Sequence, residues 1–378
     1  MGKSLTEIAQ QLKKANKKVQ LIYAFNGMGK TRLSRDFKHL IAPKLNGNDD
    51  AVQDTLPRTK IIYFNAFTED LFYWDNDLTH DVEPILQIQD NFFTKWVLKD
   101  QGKEQNVVDH FQHYTNAKLT PLFNTDYSEV RFTFERGNDV QEQNIKISKG
   151  EESNFIWSVF YSLIEGVVAE LNIAEVDDRS THEFNELEYV FIDDPVSSLD
   201  ENHLIELAVD LAQLIKSSTS KELKFIVATH NPLFYNVLYN EVGAKSGGIL
   251  RRHDDGTFDL EEKKGDSNKS FSYHLFLKHT LEQAIEHNLI QKYHFTLLRN
   301  LYEKTAVFLG YPQWSELLPD DKQAYLNRII QFTSHSTLSN EAVAEPTEPE
   351  KQTVKFLLNH LVSNYHFWQQ AQTHDDRN

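Results

Sequence analysis

The sequence predicts an α/β domain with a mostly parallel, buried sheet, followed by a mostly α-helical domain. Strand-sized apolar runs at 189–192 and 224–228 are typical of strands covered on both faces. A strand predicted at 19–23 leads through a glycine-containing loop into a helix that begins at residue 30, the connection expected beside a parallel sheet. From residue 270 onward, the apolar residues recur with a helical period.

The chain is long enough for two domains. It has 378 residues, whereas single domains usually stop growing near about 250 to 300 residues. The change of pattern places the boundary near 263–269, which gives an α/β domain at 1–264 and a helical domain at 265–378. Helices are predicted in the second domain at 275–287, 293–309, 320–332 and 351–368.

Composition excludes several classes of protein. The formal net charge of −17 argues against a protein that coats nucleic acid indiscriminately, because such binding needs many Lys and Arg contacts to phosphates. The strand-sized apolar runs fall short of the roughly 20 residues that a membrane helix needs. The polar residues 1–11 lack the apolar core of a secretory signal, and there is no cysteine. We therefore expect a cytoplasmic protein without a membrane partner.

The loop after the first strand reads Ala24-Phe-Asn-Gly-Met-Gly-Lys-Thr31 and predicts a phosphate-binding loop. Glycines let backbone amides approach phosphates, Lys30 reaches the terminal phosphates, and the Thr31 hydroxyl holds Mg²⁺. Ala24 stands where the first glycine is usual and predicts a slightly different start of the loop. The predicted nucleotide contacts are Asn26, Gly27, Met28, Gly29, Lys30 and Thr31.

Polar residues follow the two buried strands. Asp193 ends an apolar strand, where a carboxylate is costly unless it serves a cation, so we expect it to take part in the Mg²⁺ shell through water, beside Thr31. Asp194 stands where a glutamate usually orients the attacking water. It is one methylene shorter, and a misplacement of about 1 Å costs on the order of a hundredfold in rate, so we expect slow hydrolysis. His230 is placed to hydrogen-bond the γ-phosphate.

Two further motifs complete the set of an ABC-type ATPase. Ser148, Lys149 and Gly150 resemble the signature residues that contact a nucleotide held by another subunit. The run Ser197-Ser-Leu-Asp200 places Asp200 among the nucleotide contacts. Because Lys30 and Ser148 act on opposite sides of one nucleotide, we expect a head-to-tail homodimer, with a higher oligomer left open.

The helical domain contains a second set of candidate catalytic residues. Arg299 and Glu303 are four residues apart, which on a helix is a turn of about 400° and a rise of about 6 Å, so they share one face. Such a pair is usually a surface ion pair. With His335 they supply the cation, acid and base that metal-free RNA cleavage requires. The spacing permits this chemistry without specifying it.

Along nearly its whole length the chain resembles the PrrC-type anticodon nucleases. Besides the ATPase motifs, the matching stretches are Asn65-Ala-Phe-Thr-Glu-Asp-Leu-Phe-Tyr-Trp74, Gly265-Asp-Ser-Asn-Lys-Ser-Phe-Ser-Tyr-His274 and Leu298-Arg-Asn-Leu-Tyr-Glu-Lys-Thr305. The resemblance implies that Arg299, Glu303 and His335 are the catalytic set. It also implies an anticodon-recognising peptide formed by Asp266, Ser267, Asn268 and Lys269.

The resemblance implies a particular activity. It is cleavage of tRNA, typically the lysine acceptor, on the 5′ side of the wobble base, which leaves a 2′,3′-cyclic phosphate and a 5′-hydroxyl. The resemblance further implies gating by ATP or GTP with Mg²⁺, and dTTP as a stabilising ligand. The toxin is expected to stay latent in a type I DNA restriction-modification complex until a phage disables that complex.

Two alternatives remain open at this stage. One is a DNA-associated ATPase of the RecF or OLD type, in which the helical domain binds and does not cut RNA. The other is a regulatory ABC subunit that only senses a partner and nucleotide. A discrete break in anticodon loops separates the nuclease from both. The sequence also leaves open which nucleotide gates the activity.

Overall fold

The structure of the chain is a computed structural model, and it describes residues 2–43, 60–65, 68, 70–75, 84–136, 140–195, 201–244, 246–253, 255–264, 273–333, 346–365 and 367. These residues form two compact units, Met1–Ser267 and Asn268–Asn378. The first unit is α/β and the second is mostly helical, so the predicted fold class is confirmed.

The first unit alternates strands and helices. Its elements are α1 (Leu5–Ala15), β1 (Val19–Tyr23), α2 (Lys30–Ile41), β2 (Ile61–Phe64), β3 (Phe72–Asp75), β4 (Ile85–Ile88), α3 (Glu104–Tyr114), β5 (Leu119–Phe123), β6 (Glu129–Arg136), β7 (Val140–Glu142), α4 (Lys149–Asn172), β8 (Tyr189–Asp193), α5 (Glu201–Ser217), β9 (Lys224–Thr229), α6 (Pro232–Glu241), β10 (Ser246–Arg252) and β11 (Phe258–Lys264). A short helical turn at Phe92–Thr94 continues as a π-helix at Lys95–Asp100.

The main sheet has the strand order β11-β10-β1-β9-β8-β2 and is parallel except for β11. The carboxyl ends of β1, β8 and β9 meet at one edge, since their registers pair Tyr23 with Thr229 and Asp193 with Ala228. Strands β10 and β11 form an antiparallel pair, which joins this sheet through the pairing of β10 with β1. The P-loop and the polar residues at the ends of β8 and β9 therefore lie at the same edge of the sheet.

Helix α2 packs on this sheet through an apolar face. Leu33 and Phe37 are fully buried, and the Phe37 ring lies 5.0 Å from the Tyr189 ring and 5.6 Å from the Phe191 ring, measured between centroids. This packing fixes the helix that follows the P-loop against the strand that ends in Asp193. The two residues of the predicted Mg²⁺ site, Thr31 at the start of α2 and Asp193 at the end of β8, are therefore held by the same hydrophobic core.

A second sheet is antiparallel, with the order β3-β4-β6-β5 and with β7 paired to β6. Helix α4 joins this sheet to the main one. Its Phe155 ring lies 5.4 Å from that of Phe132 in β6, and its Phe160 ring lies 4.8 Å from that of Phe64 in β2. Helix α4 is long and apolar enough to cross a membrane, but 83% of its most apolar window is buried inside the protein. It is therefore a core helix.

The second unit consists of helices around their own core. They are α7 (Tyr273–Glu286), α8 (Lys292–Leu309), α9 (Lys322–Thr333) and α10 (Glu348–Asn364), with a 3₁₀ turn at Trp314–Leu317. The four predicted helices are present, with ends shifted by a few residues. The buried Tyr302 hydroxyl of α8 donates to the Leu357 carbonyl of α10 over 2.8 Å. This bond and the apolar contacts fix α8 within the unit.

A matched pair of truncations tests the packing of α2. Leu33→Ala removes a fully buried side chain, whereas Leu122→Ala removes one that is 49% exposed. We expect Leu33→Ala to lower the free energy of unfolding by about 2–5 kcal/mol, because it also leaves a cavity, and Leu122→Ala to lower it by less than about 1 kcal/mol. Urea unfolding followed by circular dichroism measures both. Equal losses would contradict the assignment of the core.

Candidate nucleotide-binding and nuclease sites

The P-loop has the backbone that a phosphate cradle needs. Gly27 and Gly29 have φ values of +81° and +94°, a region that side chains disfavour. Gly29 also precedes the first turn of α2 and supplies no side-chain cap, so the first amides of that helix point toward the loop. Ala24 is buried and is not among the residues with positive φ, so alanine is compatible with its position.

The Lys30 ammonium lies inside this loop. It donates to the carbonyl oxygens of Ala24 (3.2 Å) and Phe25 (3.5 Å) and to Asn26 Oδ1 (3.3 Å), and it lies 3.4 Å from Asp194 Oδ2. The side chain is only 7% exposed. A buried cation with carbonyl and carboxylate neighbours is well placed to meet the terminal phosphates of a nucleotide.

Thr31 and Asp193, the two residues predicted at Mg²⁺, are in direct contact. Thr31 Oγ1 donates to Asp193 Oδ2 over 2.6 Å. Asp193 is 2% exposed, and its Oδ1 has no hydrogen-bond partner among the described residues. Burial raises its pKa to about 6, although the Thr31 hydrogen bond opposes this. A buried carboxylate with an unsatisfied oxygen beside a hydroxyl is a donor set that fits Mg²⁺.

Asp194 and His230 form a tight pair beside this site. His230 Nδ1 lies 2.6 Å from Asp194 Oδ2, and the carboxylate also accepts from Thr229 Oγ1 and from the His230 amide, each over 3.3 Å. Burial raises the pKa of Asp194, but the His230 hydrogen bond and the Lys30 charge lower it by more, so the pKa lies below its ordinary value. Because a carboxylate only accepts, Nδ1 carries the proton and Nε2 is the nitrogen that can face a phosphate.

The backbone at Asp194 suggests a reason for aspartate at this position. Its φ is +58°, in the left-handed region. Aspartate enters this region more readily than most residues do, because its short side chain bonds to nearby backbone. Here the carboxylate accepts from the His230 amide. The shorter acid therefore suits the turn that follows β8.

Ser148, Lys149 and Gly150 lie at the start of α4. Ser148 is the N-cap: its side chain accepts from the Glu151 amide, and the Glu151 carboxylate accepts from the Ser148 amide, a complete capping box. The helix begins at Lys149. The side-chain bonds of Ser148 and Lys149 go to Glu151 and Glu152 of the same helix, and not to the P-loop.

Several predicted site residues lie outside the described part of the chain. They are the nucleotide contact Asp200, the catalytic candidate His335, and the four tRNA contacts Asp266, Ser267, Asn268 and Lys269. Their roles stay predictions.

Arg299 and Glu303 lie on one face of α8, as their spacing predicts. Arg299 Nε donates to Glu303 Oε1 over 2.7 Å, and each side chain is 36% exposed. The guanidinium carbon lies 5.9 Å from the centre of the Trp314 ring, within cation–π range. Trp314 itself packs on the buried Tyr302. An aromatic ring and a carboxylate therefore hold the guanidinium on the surface of the helical unit.

A histidine of the second unit has a structural role at the start of a helix. His294 is buried, and its Nδ1 accepts from the Gln291 amide over 2.9 Å, so it caps the start of α8. Within the described ranges, no group of three His, Asp or Glu side chains could hold a metal ion.

Asn65, just after the strand that ends at Phe64, is the sequence-based candidate for the Q-loop of an ABC-type ATPase, but the contacts that support the site were not predicted from the sequence. Asn65 Nδ2 donates to Ser34 Oγ, and Ser34 Oγ donates to the Thr31 carbonyl, so a buried network reaches the predicted Mg²⁺ residue. At the start of α4, Glu152 accepts from the indole nitrogen of Trp74. Asn65 and Trp74 bound a stretch that carries the family resemblance. Their partners are far away in sequence, so only the fold reveals these contacts.

The parallel sheet, the P-loop before α2 and the carboxylates at the end of β8 define the first unit as an ABC-type nucleotide-binding domain. No family model matches the chain. An Escherichia coli protein named "Anticodon nuclease" is 64% identical, and the alignment covers 98% of this chain and 99% of that protein. The chain belongs to the anticodon nuclease family.

Solved structures show only weak likeness. An SMC head domain from Thermotoga maritima is 12% identical with a TM-score of 0.29, over 66% of this chain and 91% of that one. The cbiO1 subunit of an ABC transporter complex from Clostridium perfringens is 11% identical with a TM-score of 0.33, over 70% of this chain and 84% of that one. The fold therefore rests on the topology described above.

Asp193→Asn tests the cost of the buried carboxylate. The folded-state pKa of about 6 lies above the ordinary value, so the ionised form destabilises the fold. That loss is absent below about pH 4, grows between about pH 4 and 6, and is complete above about pH 6. Without metal or nucleotide, we expect Asp193→Asn to be more stable than wild type at neutral pH by on the order of 2 kcal/mol, and the difference to shrink toward pH 5.

Urea unfolding in EDTA at about pH 5 and about pH 7.5 measures this difference. Addition of Mg²⁺ and nucleotide should reverse the order, because asparagine cannot supply the charge that a divalent cation needs. A difference that does not change with pH would contradict the assignment.

Proposed function

We propose that the protein is a nucleotide-gated endoribonuclease that cuts tRNA in the anticodon loop. The observation that carries this proposal is the 64% identity to an anticodon nuclease along nearly the whole of both chains. Similarity of this extent includes both units, so it supports the nuclease together with its ATPase. A DNA-associated ATPase of the RecF or OLD type, without RNA cleavage, is the competing hypothesis.

The proposed chemistry is attack of the 2′-hydroxyl on the adjacent phosphate without a metal ion. Arg299 stabilises the pentavalent phosphate, while Glu303 and His335 share the acid and base roles. The product ends are a 2′,3′-cyclic phosphate and a 5′-hydroxyl. The surface position of Arg299 and Glu303 supports this assignment, because a folded RNA can reach side chains that are 36% exposed.

The proposed substrate is tRNA, with the lysine acceptor cut on the 5′ side of the wobble base. Asp266, Ser267, Asn268 and Lys269 are the proposed anticodon contacts. An aspartate repels phosphates, so Asp266 suits a donor or cation on a base, such as a modified wobble uridine. We assign residues 265–378 to the nuclease and 1–264 to its regulation.

The proposed gate is a nucleotide sandwiched in a head-to-tail dimer. ATP or GTP with Mg²⁺ binds at Lys30, Thr31 and Asp193 of one copy, and Ser148 to Gly150 of the other copy complete the site, with dTTP as a further stabilising ligand. The capping box at Ser148 supports this proposal. The side-chain bonds of the signature residues stay within α4 and do not go to the P-loop of the same copy, so the geometry is compatible with a nucleotide held by a second copy. Asp194 and His230 serve a slow hydrolysis that times the gate.

The proposed biological role is an antiphage toxin of the cytoplasm, where its tRNA substrate is found. A type I DNA restriction-modification complex is the proposed partner that keeps it latent. A nuclease that destroys tRNA must be restrained in healthy cells. A separate nucleotide-binding unit offers a place for that restraint.

A matched pair of variants tests the nuclease. Glu303→Gln and Glu282→Gln each break an i,i+4 ion pair with a 2.7 Å contact in the same unit. The two pairs contribute similar small stabilities of about 0.3–0.5 kcal/mol. We expect Glu303→Gln to slow tRNA cleavage by about 10²- to 10⁴-fold, as for loss of an acid–base group, and Glu282→Gln to leave it unchanged.

Northern blots and end-group analysis of tRNA from expressing cells measure the break. Intact tRNA with the wild-type protein, together with stimulation of hydrolysis by duplex DNA, would favour the competing ATPase. Equal cleavage by both variants would remove Glu303 from the catalytic set.

Lys30→Ala tests the gate. Loss of the buried ammonium should abolish nucleotide binding and make the cleavage rate independent of added nucleotide. Lys38→Ala is the control on the same helix, since its ammonium donates to the Tyr63 hydroxyl. Cleavage assays with and without ATP or GTP measure both variants. A nucleotide response that persists in Lys30→Ala would contradict the proposed gate.

A further inference from the structure

Glu152 is a buried carboxylate in the first turn of the signature helix α4. It is 6% exposed, and both of its oxygens are bonded: Oε2 accepts from Trp74 Nε1 and Oε1 from Lys149 Nζ, each over 2.7 Å. A buried carboxylate is costly unless such bonds compensate it. The hydrogen bond from Trp74 therefore helps to compensate the burial of the Glu152 carboxylate in the first unit.

Trp74 ties the antiparallel sheet to the start of α4. It lies in β3, 78 positions before Glu152 in sequence, and its ring packs 6.1 Å from that of Phe132 in β6. The ammonium of Lys146, two residues before Ser148, lies 5.5 Å from the centre of the same ring. One indole therefore contacts both the segment that leads into α4 and the first turn of that helix.

The charges near Ser148 affect how a nucleotide held by a second copy could approach the start of α4. The Glu151 and Glu152 carboxylates lie in the first turn of α4, where they would repel the phosphates of a nucleotide held by a second copy. Lys149 offsets them: its side chain is 81% exposed, and an ammonium has three donors, of which one bonds to Glu152. The cation can therefore donate to a phosphate while it keeps that bond.

We propose that Trp74 is a positioning residue for the contact between two copies of the chain. Its indole N–H fixes Glu152, and Glu152 holds the Lys149 ammonium in front of the γ-phosphate bound by the second copy. The proposal rests on the nucleotide-dependent pairing of the proposed function. It gives Lys149, one of the three signature residues, a defined role.

The test is a double-mutant cycle on the full chain. Trp74→Phe keeps an aromatic ring and removes the N–H, and Lys149→Ala removes the ammonium. Sedimentation with Mg²⁺ and a non-hydrolysable ATP or GTP analogue measures pairing, and a fluorescent analogue at low protein concentration measures binding to a single copy. We expect Trp74→Phe to weaken pairing by about tenfold, as for loss of one charge-assisted hydrogen bond, and to leave single-copy binding within about twofold.

The decisive result is the double variant. If Trp74 acts through Lys149, Trp74→Phe should have no further effect in the Lys149→Ala background, and both variants should reduce the salt dependence of pairing. Additive losses would overturn the proposal, because they would assign Trp74 a purely structural role. Lys216→Ala, which breaks an exposed ion pair with Glu241 in the same unit, should leave pairing unchanged.

A second variant guards against misfolding of Trp74→Phe. Glu152→Gln keeps the size and an acceptor for the indole, and it removes the charge that holds Lys149. Because it also removes one charge that repels the phosphates, it should weaken pairing, but by less than Trp74→Phe. Wild-type pairing that persists unchanged in Trp74→Phe and Glu152→Gln overturns only this proposal. A wild-type protein that pairs with neither nucleotide overturns the proposed gate and this proposal together.

Discussion

The first unit is organised around a carboxylate that its own residues leave incompletely bonded. Asp193 ends a fully buried strand, and one of its oxygens accepts from Thr31 while the other has no partner among the described residues. A protein interior tolerates such a group when a cation completes it. The parallel sheet brings Lys30, Asp194 and His230 to the same edge. The core that holds α2 against β8 therefore also sets the distance between the two proposed Mg²⁺ donors.

The same core extends to the signature helix. Asn65 follows β2, bonds to Ser34 of α2, and is preceded by Phe64, whose ring packs on α4. A shift of α2 against the sheet would therefore disturb the bond at Ser34 and the aromatic contact with α4 together. This continuity gives the two halves of a proposed shared site a common rigid support, because packed interiors deform little. It also explains why a long apolar helix such as α4 is buried rather than exposed.

Sequence patterns predicted what is local and periodic. The P-loop, the carboxylates at the end of β8 and the shared face of Arg299 and Glu303 each follow from a short run of residues, and the structure has the expected local geometry at each. The patterns did not predict β3 and β4, because these strands have four residues each and lie in a sheet with a partly exposed face. They also missed the contact of Trp74 with Glu152, since a hydrogen bond across 78 positions has no sequence signal. Aspartate at 194 was interpreted through its length alone, whereas its backbone angle offers a second reason.

Two ion pairs of the helical unit show that the same spacing and the same contact distance do not give two side chains the same chemistry. Lys278–Glu282 and Arg299–Glu303 have the same spacing and the same 2.7 Å contact. Their chemistry differs because a guanidinium is a planar fork with five donors, so a bond from Nε to a carboxylate is compatible with a bidentate bond from its outer edge to a phosphate. An ammonium offers no such fixed edge. Trp314 further restricts the plane of the Arg299 guanidinium. The arginine pair therefore presents a planar set of donors in a fixed orientation, which the lysine pair lacks, and this is compatible with the phosphate contact proposed for Arg299.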